Sequence, residues 1–413
     1  MSQLWIRLIN VGLRGTTLVS KFLLIFLLAR FLEPSELGLY GLVTVTISYA
    51  LYFLGFDFYI FTTREILKAP PEKRGQLLKS QLGLSAILYA VFLPLSLCLF
   101  ALGLLPWWLW PWFIALMILE HITQELNRLL VALSRQLVAS WVLFFRAGAW
   151  CLAVVVLMFF DESQRNLQTV FSGWILGSAT GFLIGVVVLV RARMGGWNKA
   201  IDWSWLKKGL RVALPMLVAT LAIRGVFTVD RYWFETAAGM EVLGAYVLFM
   251  GMTGALQSFI SAGVFTFLYP AMISAHANQD ASTFRAKYRQ LALQTLVLVV
   301  VFSVVAWIVV GPLLEWVGRP LYMQYQYLFG WLLLANAIFV VSMVPHYGLY
   351  ARGKDKPLVI SHLAGFIVFV CATAGFSRFA TELAVPYGLI TAFSFILGWK
   401  ALYFYQLTPR DWR

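Results

Sequence analysis

Apolar runs of about 20 residues, separated by short polar breaks, recur along this whole 413-residue chain. A helix of that length crosses the roughly 30 Å hydrocarbon core of a bilayer, where every backbone N–H and C=O must be paired inside the protein. Only helices and closed barrels meet that demand. Barrel strands would alternate in polarity over segments of about ten residues, and no such alternation is present. The chain is 61% hydrophobic and 12% charged, with a mean hydropathy of +0.81, whereas soluble proteins are nearer half apolar. The pattern predicts an all-α polytopic membrane protein of about 12 transmembrane helices. They lie near 8–30, 38–60, 79–104, 107–133, 137–160, 168–191, 208–230, 241–272, 291–317, 322–350, 357–378 and 384–405.

A formal charge of +14 would point to nucleic acid in a soluble chain. In a polytopic protein it has a plainer source, because Lys and Arg collect in cytoplasmic loops. With the N-terminus placed inside, 23 of the 32 basic residues fall on inner segments and five on outer ones. The inner set includes Lys79, Arg128, Arg193, Lys400 and Arg413; the outer five are Arg30, Arg165, Arg231, Arg319 and Arg378. This asymmetry predicts both termini in the cytoplasm and no nucleic-acid partner. The first apolar segment lacks a small-residue cleavage site and reads as a retained span. Cys98, Cys151 and Cys371 sit apart within apolar runs, without metal-ligand spacing, and read as fillers.

The first span carries charge where it is expensive. Arg7, Asn10, Arg14, Thr17 and Lys21 recur at spacings of three and four, and one heptad sets Arg14 and Lys21 on one face about 10 Å apart. A cation near the bilayer centre costs several kcal/mol. The stripe therefore points to a wet, protein-lined cavity; the alternative is snorkelling, with Arg14 reaching the headgroups through its stem. Arg146 and Arg224 are two further cations inside spans, Arg224 with Thr220 and Thr228 a turn to either side. These residues suit a phosphate, through a planar guanidinium fork or a lysine point charge. The embedded acids are Asp57, Glu120 and Asp230. Each could serve ion or proton coupling, or pair with a cation and pin helices, Asp57 being at a depth that could meet Arg14.

The second half of the chain opens as the first does. Leu37-Gly38-Leu39-Tyr40 begins the second span and Leu243-Gly244-Ala245-Tyr246 the eighth, each after a span with an embedded cation. Two six-span lobes, 1–198 and 199–413, are expected on either side of the WNKAIDWSWLKKGLR segment, whose Trp197, Trp203 and Trp205 read as interfacial. Because six is even, the lobes relate by a pseudo-two-fold axis along the membrane normal.

ARFLEPSELGLYGLV (29–43) and the DRYW…LGAYVL stretch (230–248), in a basic twelve-span chain, resemble the polysaccharide transporter family, including the Wzx-type flippases, of the multidrug/oligosaccharidyl-lipid/polysaccharide exporter superfamily. The resemblance implies a MATE-like fold with a central cavity open to one side at a time. It implies a flippase moving undecaprenyl-pyrophosphate-linked oligosaccharide, such as an O-antigen repeat unit, from the cytoplasmic to the periplasmic leaflet by alternating access. Arg14, Lys21, Arg146 and Arg224 would then be the cationic cavity residues. Partners implied are the lipid-linked oligosaccharide, membrane lipids, and a polymerase and chain-length regulator of the same pathway. No H-E-x-x-H, P-loop, C-x-x-C or nucleophile elbow occurs, so neither an enzyme nor a cofactor is expected. A multidrug or cation exporter of the same superfamily would want acids rather than cations facing its cargo. A membrane polymerase or acyltransferase would want a large outer loop or a tight acid/base cluster.

Overall fold

Proline, asparagine, aspartate and glycine punctuate the chain where the apolar runs stop. In the computed structural model, which describes residues 3–192 and 194–412, helix α1 (Gln3–Phe31) ends before Pro34, the first residue of α2 (Pro34–Gly55). Phe56 and Asp57 adopt left-handed backbone (φ 53° and 49°) and turn the chain into the short α3 (Tyr59–Lys68). Pro71 starts α4 (Pro71–Ala101), and α5 (Trp110–Ala132) follows. The fifth span is α6 (Gln136–Phe144) and α7 (Trp150–Phe160), joined by a π-helical turn over Phe145–Ala149. Asn166 caps α8 (Leu167–Arg191) by accepting from the Thr169 amide at 2.9 Å.

The second half contains α9 (Trp203–Ala238), then α10 (Met240–Ile260) and α11 (Thr266–Ala277) joined by a second π-helical turn, Ser261–Phe265. Then come α12 (Ala281–Val317), α13 (Pro320–Gln324), α14 (Tyr327–Tyr350), α15 (Asp355–Phe376) and α16 (Ala384–Leu407). Asp280 caps α12 through the Thr283 amide (2.9 Å) and the Ser282 hydroxyl (2.7 Å), and these bonds hold its carboxyl down at about 2. Gly318 closes α12 in the left-handed region that glycine adopts without strain.

Among the described residues, eleven helical segments are long and apolar enough to span a membrane. The twelfth is α5, whose hydropathy is lowered by Glu120, His121, Glu125 and Arg128. The described residues are overwhelmingly helical and contain no strand, as the run lengths predicted. Hydroxyls within the spans bond back to the carbonyl four residues earlier, as Thr17, Ser20, Thr46 and Thr253 do, which satisfies them without a second helix. Arg193 and Arg413, both counted on the inner side, lie outside the described residues, as does the side chain of Arg7.

Internal contacts divide the chain into two units, Met1–Leu32 with Leu42–Leu217, and Glu33–Gly41 with Val218–Arg413. The connection before α9 is stapled to α4: Gly75 N–H donates to the Gly195 carbonyl (2.8 Å), Gln76 to Ala200 (3.0 Å), and Lys79 Nζ to the carbonyls of Trp197 (3.1 Å) and Lys199 (2.9 Å). Trp205 is buried against Phe58 and Phe61.

In the second unit the two repeated motifs meet. A Cβ on Gly38 would lie 2.5 Å from the Met240 carbonyl oxygen and 3.2 Å from Gly244 N; one on Gly244 would collide with the Pro34 carbonyl. Small residues let membrane helices approach backbone to backbone, and Arg319 holds Glu33 nearby at 3.1 Å. Gly244→Val is therefore expected to destabilise the protein by about 1–3 kcal/mol, the usual cost of overpacking. Thermal unfolding in detergent would check this, with Gly263→Val as control, since a Cβ there meets nothing within 4 Å.

Candidate functional site

The first unit buries a charge cluster between α5, the π-helical turn of the fifth span, and α8. Glu120 on α5 is only 7% exposed. Its Oε2 receives Arg146 Nε at 2.8 Å and Nη2 at 2.7 Å, while Oε1 receives Trp174 Nε1 at 2.8 Å and Ser178 Oγ at 2.7 Å. Arg146 Nη2 also donates to Gln124 Oε1 at 3.2 Å. Four donors on one carboxylate supply what the membrane cannot, and a buried ion pair repays its desolvation only with such support. Arg146 lies in the π-helical turn, and Trp150, one turn on, donates to its carbonyl and stacks on Trp174 with centroids 5.8 Å apart.

Glycine spacing delivers Trp174 and Ser178 to this point. Gly173, Gly177, Gly181 and Gly185 recur every four residues on α8, and a Cβ on Gly177 would come within 2.6 Å of the Phe145 carbonyl. The helices touch through their backbones there, and the two donors beside the glycines reach α5.

Helix α1 packs on the same cluster. Thr17, Ser20, Leu24 and Leu28 form its buried stripe, with Thr17 against Gly148. Lys21 flanks that stripe, exposed and within electrostatic reach of Glu120 and Arg146. Arg14, two turns earlier, is also exposed. Among the described residues neither Arg14 nor Lys21 forms an ion pair. Thr17, expected to share their face, instead points into the packing. Asp57 is 4% exposed at the left-handed turn after α2. Of the four cations singled out in the sequence, Arg146 is the one whose guanidinium is committed to a carboxylate in the first unit.

The second unit has its own buried acid. Asp230 is fully buried; Arg231 Nη1 donates to its two oxygens at 3.0 and 3.1 Å and Tyr246 Oη at 2.7 Å. Arg231 was expected in an outer loop, but α9 continues to Ala238 and keeps it in the helix beside Asp230. Arg224 is exposed on the same helix, its carbonyl accepting from Thr228. Lys400, counted with the inner segments, lies within α16 and is fully buried.

The profile of the polysaccharide biosynthesis protein family matches residues 8–276. The chain belongs to that family. No curated protein matches this family member. Among solved structures it is similar to the inward-facing conformation of a multidrug resistance MATE family transporter of the MOP superfamily, with TM-score 0.77, 13% identity, and 94% of this chain and 95% of that one covered. An outward-facing conformation of a multidrug resistance MATE family transporter of that superfamily gives 0.62 at 14% identity, over 97% and 95%. A mutant of the Vibrio cholerae MATE transporter VcmN gives 0.57 at 14% identity, over 99% and 100%. At these identities the likeness establishes a MATE-like fold.

Within this family member, Trp174 and Ser178 were not singled out from sequence. Their partner is more than 50 residues away, so no local spacing announces the contact. The four-residue glycine period on α8 was the readable signal, because it marks a face where another helix comes close.

Proposed function

We propose that this protein is a flippase that carries undecaprenyl-pyrophosphate-linked oligosaccharide from the cytoplasmic to the periplasmic leaflet by alternating access, in a bacterial inner membrane with both termini cytoplasmic. The observation that carries this reading is the state of Arg14 and Lys21. They are exposed cations on an apolar spanning helix, with no ion pair among the described residues, in a chain of the polysaccharide biosynthesis family. A cation left at that depth is costly unless a cavity or a partner receives it, and a pyrophosphate is a partner of matching charge. Lys21 offers a point charge and Arg14 a planar fork. Arg224 is assigned a like role in the second unit.

A cationic drug would want free carboxylates. Glu120 and Asp230 are both engaged by arginines, which disfavours the multidrug reading. Glu120 and Arg146 are assigned to shaping the first unit beside Lys21.

The test is reconstitution with a fluorescent lipid-linked oligosaccharide and a membrane-impermeant quencher. Arg14→Ala and Lys21→Ala are each expected to lower the transport rate by about tenfold or more, the loss of one charge-assisted contact, with insertion and thermal stability unchanged. Full transport by the double variant would overturn the cationic assignment. Wild-type export of small cationic dyes without glycolipid movement would overturn the flippase reading.

A further inference from the structure

The second unit buries a charge-bearing group that neither the ion pairs nor the cationic stripe employs. Lys400 on α16 is fully buried, and its Nζ has no hydrogen-bond partner among the described residues. Within its electrostatic reach are His346 on α14 and His362 on α15, both half-buried, with their rings stacked 5.9 Å apart at an angle of 10°. His346 Nδ1 is also buried without a partner.

No acid balances these three bases. Lys400 and His362 are the charged or chargeable groups acting on His346, and Lys400 is the one acting on His362. From α9 the Ala219 backbone faces His362. From α11 comes Tyr269, which packs on Tyr347 and Tyr350, the two tyrosines of α14 against the His346 ring. From α12 comes Tyr288, beside Gly348 and Phe404. Phenols are neutral at ordinary pH, and among the described residues no ion pair includes any of the three bases.

Neighbouring bases without an acid cannot all be charged in an apolar interior, since each further charge adds repulsion to the cost of desolvation. The cluster therefore holds one proton or none. An amine is by nature a stronger base than an imidazole, so that proton belongs to Lys400. The amine is closed off from the exterior, whereas the imidazoles reach it, and an imidazole can take a proton on one ring nitrogen and release one from the other.

We infer that Lys400 is a proton-carrying site of the second unit and that His346 and His362 connect it to the exterior. Loading the site puts an unpaired charge among α14, α15 and α16 and favours an arrangement that admits water between them; unloading favours the packed one. A site whose occupancy biases two arrangements can couple an ion to transport. An anion is the other ligand that three bases would suit, but a fully buried Nζ gives it no access. The inference rests on the flippase reading and extends it, naming the proton as coupling ion at a place apart from the acids Glu120 and Asp230.

Two measurements on the full-length protein test it, with monodisperse elution confirming that each variant folds. In liposomes carrying a trace of fluorescent lipid-linked oligosaccharide, exchange of one proton per lipid lets a gradient of one pH unit shift the steady-state leaflet distribution by about tenfold. That shift is expected in wild type and lost both in Lys400→Met and in His346→Asn/His362→Asn. A shift that survives in either variant, or none in a wild type that still moves glycolipid, would overturn the inference and leave the flippase reading intact. Heteronuclear NMR of histidine-labelled protein in detergent reads the site without transport, and the chain has four histidines to assign. One pH-dependent transition common to the His346 and His362 rings is expected, absent in Lys400→Met. Rings that titrate separately, or a shared transition unmoved by that substitution, would overturn the proton site whatever the glycolipid does. A wild type that shows the shared transition but moves no glycolipid would keep the proton site and sink the flippase reading.

Discussion

Arg146→Met is expected to lower the unfolding free energy by about 3–5 kcal/mol, because it strands a buried carboxylate without its counter-charge. Glu120 keeps Trp174 and Ser178 after the change, but neither carries a formal charge, and with the carboxylate 7% exposed water cannot replace the arginine. The double variant Glu120→Gln/Arg146→Met should be more stable than Arg146→Met alone. The glutamine carbonyl still accepts from Trp174 and Ser178, and no unpaired charge remains. A coupling of about 0.5–3 kcal/mol between the two sites is the expected size for residues in direct contact. Thermal or denaturant unfolding in a fixed detergent would measure all four corners of the cycle. A cost below about 1 kcal/mol for Arg146→Met, the range of exposed pairs, would mean that the guanidinium is hydrated and not held as the geometry requires.

The same cluster shows what one sequence can and cannot disclose. Spans, the break at Pro34, and the embedded charges are local properties, since twenty apolar residues in lipid have few options other than a helix. The L-G-x-Y repeat was legible as a repeat, while its physical role, the crossing of Gly38 on Gly244, depends on contacts some 200 residues apart. The pairing of Arg146 with Glu120 was one of two alternatives the charges allowed, and only the geometry of α5 against the π-helical turn separates them. The segment before α9 read as lying on the membrane surface because it sets tryptophans beside lysines. Hydrogen bonds from Gln76 and Lys79 instead attach that segment to α4, and Trp205 turns into the core. Lys400 was counted with the inner segments because a basic residue near a chain end fits the cytoplasmic pattern, and nothing adjacent in sequence announces that α14 and α15 enclose it.

That enclosure sets up an effect of opposite sign. Lys400→Met is expected to raise stability by about 1–3 kcal/mol, the usual penalty recovered when an unsatisfied buried polar group is removed. Lys400 is fully buried within α16, and its Nζ has no hydrogen-bond partner among the described residues. Among the described residues no carboxylate pairs with it. The polar groups nearby are two histidines, His346 on α14 and His362 on α15, whose rings stack with centroids 5.9 Å apart, and His346 Nδ1 is likewise buried without a partner. Methionine has nearly the same length as the lysine stem and a flexible thioether that fills irregular space, so the substitution removes the amine without opening a cavity. A lysine kept in such a place costs stability that natural sequences tolerate mainly at working sites. Thermal unfolding of Lys400→Met beside the wild type therefore tests the burial directly. A lower melting temperature would show that Nζ is held by a partner that methionine cannot replace.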